Sequence, residues 1–187
     1  MSSSRPVILL EFNELCPSLL DQWMGQGLLP NFQRFFQDSQ AFITEPDEKS
    51  APYLEPWIQW YSIHTGLPFA EHKVFHLTDG PVAGHDDIWH YLAARRKKVW
   101  NCGSMNARRL TAEGSVFLPD PWCTTERCSP DDLGPYHRFV GHAVREHSNS
   151  DDPLTARDYA AFARFMVSHG LRAKTVSAIV AQLASEN

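Results

Sequence analysis

Hydrophobic positions in the first hundred residues come in two kinds: short continuous apolar runs, and stripes spaced by three and four. Residues 6–12 are an aliphatic run closed by the polar pair Asn13 and Glu14, the pattern of a strand buried on both faces. Residues 17–25 place Leu19, Leu20 and Trp23 on one side of a helix; Pro17 suits its first turn, and Gly25 and Gly27 can end it. Residues 31–37 predict a second short helix, entered by Pro30, with Phe32, Phe35 and Phe36 facing inward. Residues 40–44 predict a strand and residues 46–52 a polar loop. Residues 56–64 carry Trp57, Trp60, Tyr61 and His64 at helical spacing, and Thr65-Gly66-Leu67-Pro68 stops that helix. Residues 87–95 predict a helix and residues 98–102 the next strand. Strands interleaved with helices predict an α/β protein with a parallel sheet.

The second half changes character. Residues 116–128 hold the turn-forming Pro119-Asp120-Pro121 and predict an ordered loop. Ser129-Pro130-Asp131-Asp132 has the order of a helix entry, with a Ser cap, a first-turn Pro and acids at the positive end of the dipole. That helix reaches toward Glu146 unless Gly134 and Pro135 break it. Thr155 with Asp158 three residues later marks another entry, Phe162, Phe165 and Met166 form its buried face, and Gly170 stops it. Val176, Ile179, Val180 and Leu183 predict a last helix. The expected organisation is an α/β part over residues 1–125 and a helical segment over residues 126–187.

Composition narrows the function classes. The chain has 187 residues and a net charge of −5, so it lacks the basic excess that neutralises phosphates along a nucleic-acid duplex. No run approaches the ~18 apolar residues of a membrane span, and four aliphatics followed by Glu11 are too few for a signal-peptide core. With no such signal, the four cysteines are expected as free thiols in a reducing cytosol. Cys123 and Cys128 could form half a zinc site, but their spacing is not Cys-x-x-Cys and no second pair follows.

Three clusters could carry chemistry. Glu11, Asn13 and Glu14 put three oxygen-bearing side chains where the first strand ends, the place at which parallel sheets bind ligands and where oxygen donors suit a hard metal. The alternative is that Asn13 or Glu14 caps the helix begun by Pro17. Glu55 sits just before Pro56, at the start of an aromatic helix, where it could act as ligand or general base or simply cap. His72, His76 and His85 share a loop with Asp79 and Asp86, so they either ligate a metal or bond to backbone and solvent.

The order of these motifs resembles the type I phosphodiesterase/nucleotide pyrophosphatase branch of the alkaline phosphatase superfamily. The likeness runs from Val7 through Glu11, Asn13, Glu14 and Pro17 to Gly27-Leu28-Leu29-Pro30-Asn31-Phe32. It continues from Trp60 through Ser62, Thr65, Gly66 and Pro68 to His72, matching a phrase in which a helix ends in Ser-x-x-Thr-Gly and a Pro and a His-Gly follow. Residues 87–92 with Lys98-Val99-Trp100 resemble the next helix–strand step, and Gly114 to Trp122, with Leu118-Pro119-Asp120-Pro121-Trp122, the loop before an inserted helical region.

The resemblance implies an alkaline-phosphatase-like parallel sheet with flanking helices, and a metal-dependent phosphodiesterase, phosphatase or sulfatase-like activity using Zn, Mn or Mg. It implies metal ligation by Glu11, Asn13 and Glu14, a catalytic role for Glu55, and substrate contacts from Trp57, Trp60 and His64. Two positions depart from the family. Asn13 stands where a metal-binding Asp is usual and brings no charge. Glu55-Pro56 stands where a Thr or Ser nucleophile is usual. The family's later Asp-His-Gly phrase does not occur, so the expectation is the amino-terminal portion of such a hydrolase. The other reading is a non-catalytic module that binds carbohydrate or phosphate, with Trp57, Trp60 and Tyr61 facing a sugar. The expected partners are a small-molecule ester or carbohydrate, with self-association through exposed sheet edges.

Overall fold

A computed structural model describes residues 5–145 and 153–185. The chain divides into two compact units, residues 1–56 and 57–187.

In the first unit, α1 (Pro17–Gly25) follows Cys16 at its N-cap, with Pro17 in the first turn. Proline suits that position because its missing N–H would have no intrahelical partner there. Cys16, not Asn13 or Glu14, stands at the N-cap position, and its side chain makes no capping hydrogen bond. Leu20 and Met24 are the buried face. The helix closes where Gly27, at φ +73°, lets Leu28 N–H return to the Trp23 carbonyl at 3.0 Å. α2 (Pro30–Gln37) follows, without a buried residue. Phe32 and Phe35 meet edge to face at 6.4 Å, while Phe35 and Phe36 stay exposed rather than turning inward. The strands expected over residues 6–12 and 40–44 do not form. Val7 is 92% exposed and Ile43 99%. An aliphatic run becomes a strand only where a neighbour completes its backbone hydrogen bonds and layers cover its faces, and no strand pairing of the described residues includes these segments.

The second unit opens with α3 (Pro56–Thr65), whose Ile58, Tyr61 and His64 are buried. Two one-turn helices follow, α4 (Phe69–His72) and α5 (Gly80–Ala83), then α6 (Ile88–Ala94). Asp87 caps α6, its carboxylate accepting the His90 N–H at 2.8 Å. The sheet is a parallel pair, β1 (Trp100–Cys102) and β2 (Val116–Leu118), with Asn101 opposite Phe117. β2 falls inside the segment expected to be a loop. A three-residue strand is too short to show a period, and what establishes it is pairing: Val116 N–H reaches the Val99 carbonyl at 2.8 Å, and Gly103 N–H the Leu118 carbonyl at 2.8 Å. On its other side Phe117 exchanges two backbone hydrogen bonds with Ser129. Ser129 thus closes the sheet instead of capping a helix. A 3-10 turn (Asp131–Leu133) intervenes, and α7 (Gly134–Arg145) starts at the Gly-Pro pair that could have broken it.

The core of this unit gathers Trp89, Val99, Ala107, Leu110 and Phe117. One polar side chain ties its loops together. Asn106, 1% exposed, donates from Nδ2 to the carbonyls of Trp57 and His76, both at 3.2 Å, and accepts the Gly80 N–H at 3.1 Å. Its backbone is left-handed, φ +57°, a conformation Asn tolerates better than most residues. Gly80 is required beside it, since a Cβ there would lie 2.2 Å from the Asn106 carbonyl oxygen.

The helical segment packs on its own terms. α8 (Ala156–Ser168) begins with the expected capping box of Thr155 and Asp158. It lies against α7 through Phe139 stacked on Phe162 at 4.0 Å, and through Arg138 Nε to Asp158 Oδ1 at 2.7 Å. Arg138 and the Thr155 hydroxyl hold the Asp158 carboxyl well below the usual carboxylate range. α7 also holds the loop after β2, with Arg145 donating to the Pro121 carbonyl at 2.7 Å and His137 to the Asp120 carbonyl at 3.0 Å. The last helix is α9 (Ala173–Ser185).

Two stability effects of opposite sign follow. Asn106→Ala strips partners from three backbone groups, one buried and two partly buried, and should cost about 2 kcal/mol in urea unfolding. Asn101 is 2% exposed on the core face of β1, and neither of its amide atoms has a hydrogen-bond partner. Asn101→Val should therefore stabilise by about 1 kcal/mol, because an unsatisfied buried amide is worse than an apolar group of similar size.

Candidate functional site

The sequence-derived site residues divide between the units. Glu11, Asn13, Glu14 and Glu55 belong to the first; Trp57, Trp60 and His64 belong to the second. Asn13 and Glu14 are exposed and occupy a turn, while Glu11 and Glu55 are partly buried. Glu14 is left-handed, φ +56°. A non-glycine residue held in that region is uncommon, and such positions cluster at functional sites. Among the described residues, no three His, Cys, Asp or Glu side chains gather closely enough to hold a metal ion. Glu11, Asn13 and Glu14 would supply two charged oxygens and one neutral one, less than a complete divalent site.

In the second unit Tyr61 and His64 of α3 are buried, while Trp57 and Trp60 are half-buried. Trp57 donates its indole N–H to the Phe75 carbonyl at 2.9 Å. Trp60 stacks on His64 at 5.8 Å, and His64, 3% exposed, meets the Trp89 ring at 4.4 Å. His64 is thus a core histidine between two indoles.

Of the three histidines that looked like ligands, His72 is committed to structure, His76 is exposed and His85 is half-buried. His72 is 3% exposed. Its Nδ1 accepts the Val74 N–H at 2.9 Å, and its Nε2 lies 3.0 Å from Ser62 Oγ. A backbone N–H can only donate, so Nδ1 keeps its lone pair and the neutral ring carries its proton on Nε2. His72 then donates to Ser62. It cannot take the serine proton, and the pair is a tether between α3 and α4 rather than nucleophile and base. Burial, with smaller contributions from His85 and Lys73, lowers the His72 pKa to about 4. The Asp79 carboxylate accepts the backbone N–H groups of Phe75 and His76, at 3.3 and 2.8 Å. Asp86 pairs with Arg108 at 3.0 Å.

Sequence reasoning missed a second histidine, and its state is the reverse. His90 Nδ1 lies 2.7 Å from the buried Asp87 carboxylate, and Nε2 lies 3.2 Å from the Arg109 carbonyl. Both ring nitrogens face acceptors, which suits the doubly protonated imidazolium. The hydrogen bond to Asp87 raises the His90 pKa, outweighing burial and the Arg108 charge. Only the spacing of Asp87 and His90, three apart at a helix start, could have signalled the pair.

Two further titratable groups, Asp120 and Cys128, are interior. Burial raises the Asp120 carboxyl, although it accepts the Trp122 N–H at 2.9 Å, and it pushes the Cys128 thiol up to about 11. The four cysteines are free. No helix of the described residues is long and apolar enough to cross a membrane. Comparison with protein-family models, curated proteins and solved structures finds no significant match.

The two histidines give stability opposite pH dependences. His72 folds neutral, so its contribution is complete above the unfolded value of 6.5 and is lost as pH falls from there through about 4. His90 folds charged, so its contribution is complete below 6.5 and fades as pH rises through its raised pKa. Unfolding midpoints measured from pH 4 to pH 8 should show the acid limb flattened in His72→Gln and the alkaline limb flattened in His90→Gln.

Proposed function

We propose that this chain carries the amino-terminal portion of a metal-dependent phosphoester or sulfoester hydrolase, related to the type I phosphodiesterase/nucleotide pyrophosphatase branch. Glu11, Asn13, Glu14 and Glu55 serve as an incomplete set of metal and substrate ligands, acting on a small-molecule ester. The observation that carries the reading is the way one family-like phrase locks together. Ser62 is held by His72. The Thr65 hydroxyl donates to the Tyr61 carbonyl at 2.8 Å and accepts the Leu67 N–H at 3.3 Å. Gly66 takes the left-handed turn at φ +72°. Lys73 occupies the second left-handed position, φ +57°, where the family phrase has the glycine after its histidine. Thr65 and Gly66 are residue types suited to end one helix and turn the chain toward the next, which supports descent from that scaffold, while Lys73 departs from the phrase. The activity itself rests on the order of motifs. A metal supplies charge neutralisation to such esters; this chain's part would be to offer oxygen donors at residues 11–14 and a carboxylate ahead of α3.

The carbohydrate-binding reading is weaker. Tyr61 is buried, Trp57 spends its N–H inside the unit and Trp60 gives one ring face to His64, so the three rings do not form one open aromatic platform for a sugar.

Titration calorimetry with Mn²⁺, Zn²⁺ and Mg²⁺ tests the proposal. Weak binding of one ion is expected, loosened about tenfold by Glu55→Ala or Glu14→Ala, as for loss of a supporting ligand. Turnover of a nitrophenyl phosphate diester should be negligible with any of the three. Absence of metal binding, or binding indifferent to both substitutions, would overturn the ligand assignment, and robust turnover would contradict an incomplete site.

A further inference from the structure

His90 joins two segments of the second unit through one ring, and the join depends on its proton. The residue lies in the first turn of α6, and the Arg109 carbonyl it meets lies 19 residues further along the chain. Nδ1 faces the Asp87 carboxylate at 2.7 Å and Nε2 faces that carbonyl at 3.2 Å. A carboxylate and a carbonyl only accept, so the charged ring, with an N–H on each nitrogen, satisfies both. The neutral ring has one N–H, and its other nitrogen points a lone pair at an oxygen. The Asp87 contact is the shorter one, is charge-assisted and stays within α6, so the remaining proton is held on Nδ1. The contact that breaks is the one between segments, from Nε2 to Arg109.

The surrounding charges leave that titration to His90. Asp87 favours the charged ring, while Arg108, itself paired with Asp86 at 3.0 Å, opposes it. From α3, Tyr61 is kept neutral by burial and by the Asp87 charge, so its phenol does not titrate in the same range. The Arg109 guanidinium is engaged elsewhere, donating to the Cys128 carbonyl at 3.2 Å.

Arg109 belongs to a segment with further duties. Ala107 and Leu110 enter the core, and Asn106 holds the Trp57 and His76 carbonyls and the Gly80 N–H. At 3.1 to 3.2 Å those three bonds already lie at the long end of the N–H···O range, so a small displacement of the segment weakens them all.

We propose that His90 is a proton-operated clasp: while charged it holds the 106–110 segment against α6, and when it loses its proton the segment loosens and releases the loops tied by Asn106. The unit is closed on the acid side of the His90 titration and locally open on the alkaline side. The opening is confined to particular amide groups, unlike a change in overall stability. It is independent of the hydrolase reading, since no metal or substrate takes part.

Amide hydrogen exchange of the full chain, followed by NMR from pH 6 to pH 9 and expressed as protection factors to remove the intrinsic pH dependence, tests the clasp. Imidazole nitrogen shifts report the His90 proton in the same samples. Protection of the Gly80 N–H should fall about tenfold as His90 loses its proton, the size of one lost hydrogen bond to a charged group. Protection of Phe117 and Ser129, whose amides bond to each other's carbonyls, should stay level. Asp87→Asn keeps a helix cap but removes the charge, so the His90 titration and the loss of Gly80 protection should move to lower pH together. His90→Gln should abolish the pH dependence of Gly80 protection. The clasp is overturned by Gly80 protection that stays level through the His90 titration or falls in step with Phe117 and Ser129. It is equally overturned by protection that does not follow the His90 titration in Asp87→Asn, or that keeps its pH dependence in His90→Gln.

Discussion

The second unit depends on the carboxamide of Asn106. Its hydrogen bonds reach Trp57, His76 and Gly80, which lie 49, 30 and 26 residues away in sequence. Each partner is a backbone group in or beside an element too short to be stable alone: the first turn of α3, the loop after α4, and the start of α5. One-turn helices leave most of their N–H and C=O groups without internal partners. A rigid side chain with two donors and an acceptor supplies what the helices cannot, and the absence of a Cβ at Gly80 lets it approach. The apolar core of Trp89, Val99, Ala107, Leu110 and Phe117 supplies burial, while Asn106 fixes which loops lie over it.

The same economy governs the polar residues around α3 and α6. Histidine, serine and aspartate at close range suggest reactivity, yet the partners of each decide otherwise. Val74 N–H sets the tautomer of His72 so that it donates to Ser62. Asp87 and the Arg109 carbonyl occupy both nitrogens of His90. Both rings are spent as cross-links between segments, one neutral and one charged.

Much of the helical architecture was legible. α1 spans the expected 17–25, α3 extends the expected helix by one residue, and the Thr155–Asp158 box opens α8. These elements carry their own signals: a proline at the first turn, a cap three residues from its acid, apolar spacing of three and four. The strands were legible only in part. Residues 98–102 contain β1, whereas β2 lay hidden in a segment rich in turn formers, and the runs at 6–12 and 40–44 formed no strand. A helix satisfies its own backbone, but a strand exists only through its neighbour. For the candidate site, Glu11, Asn13, Glu14 and Glu55 could be named from chain order. The burial of His64 between Trp60 and Trp89, and the roles of Asn101, Asn106 and His90, could not.

By itself the sequence determined the positions of the longer helices, the capping box of α8 and the acidic overall charge, because each of these is carried by the residues themselves or by near neighbours along the chain. Only the tertiary structure decided which apolar segments became strands, which nitrogen of His72 carries its proton, and which polar side chains hold loops together. Those outcomes depend on partners brought close in space from far along the chain, and spacing in one dimension does not encode them.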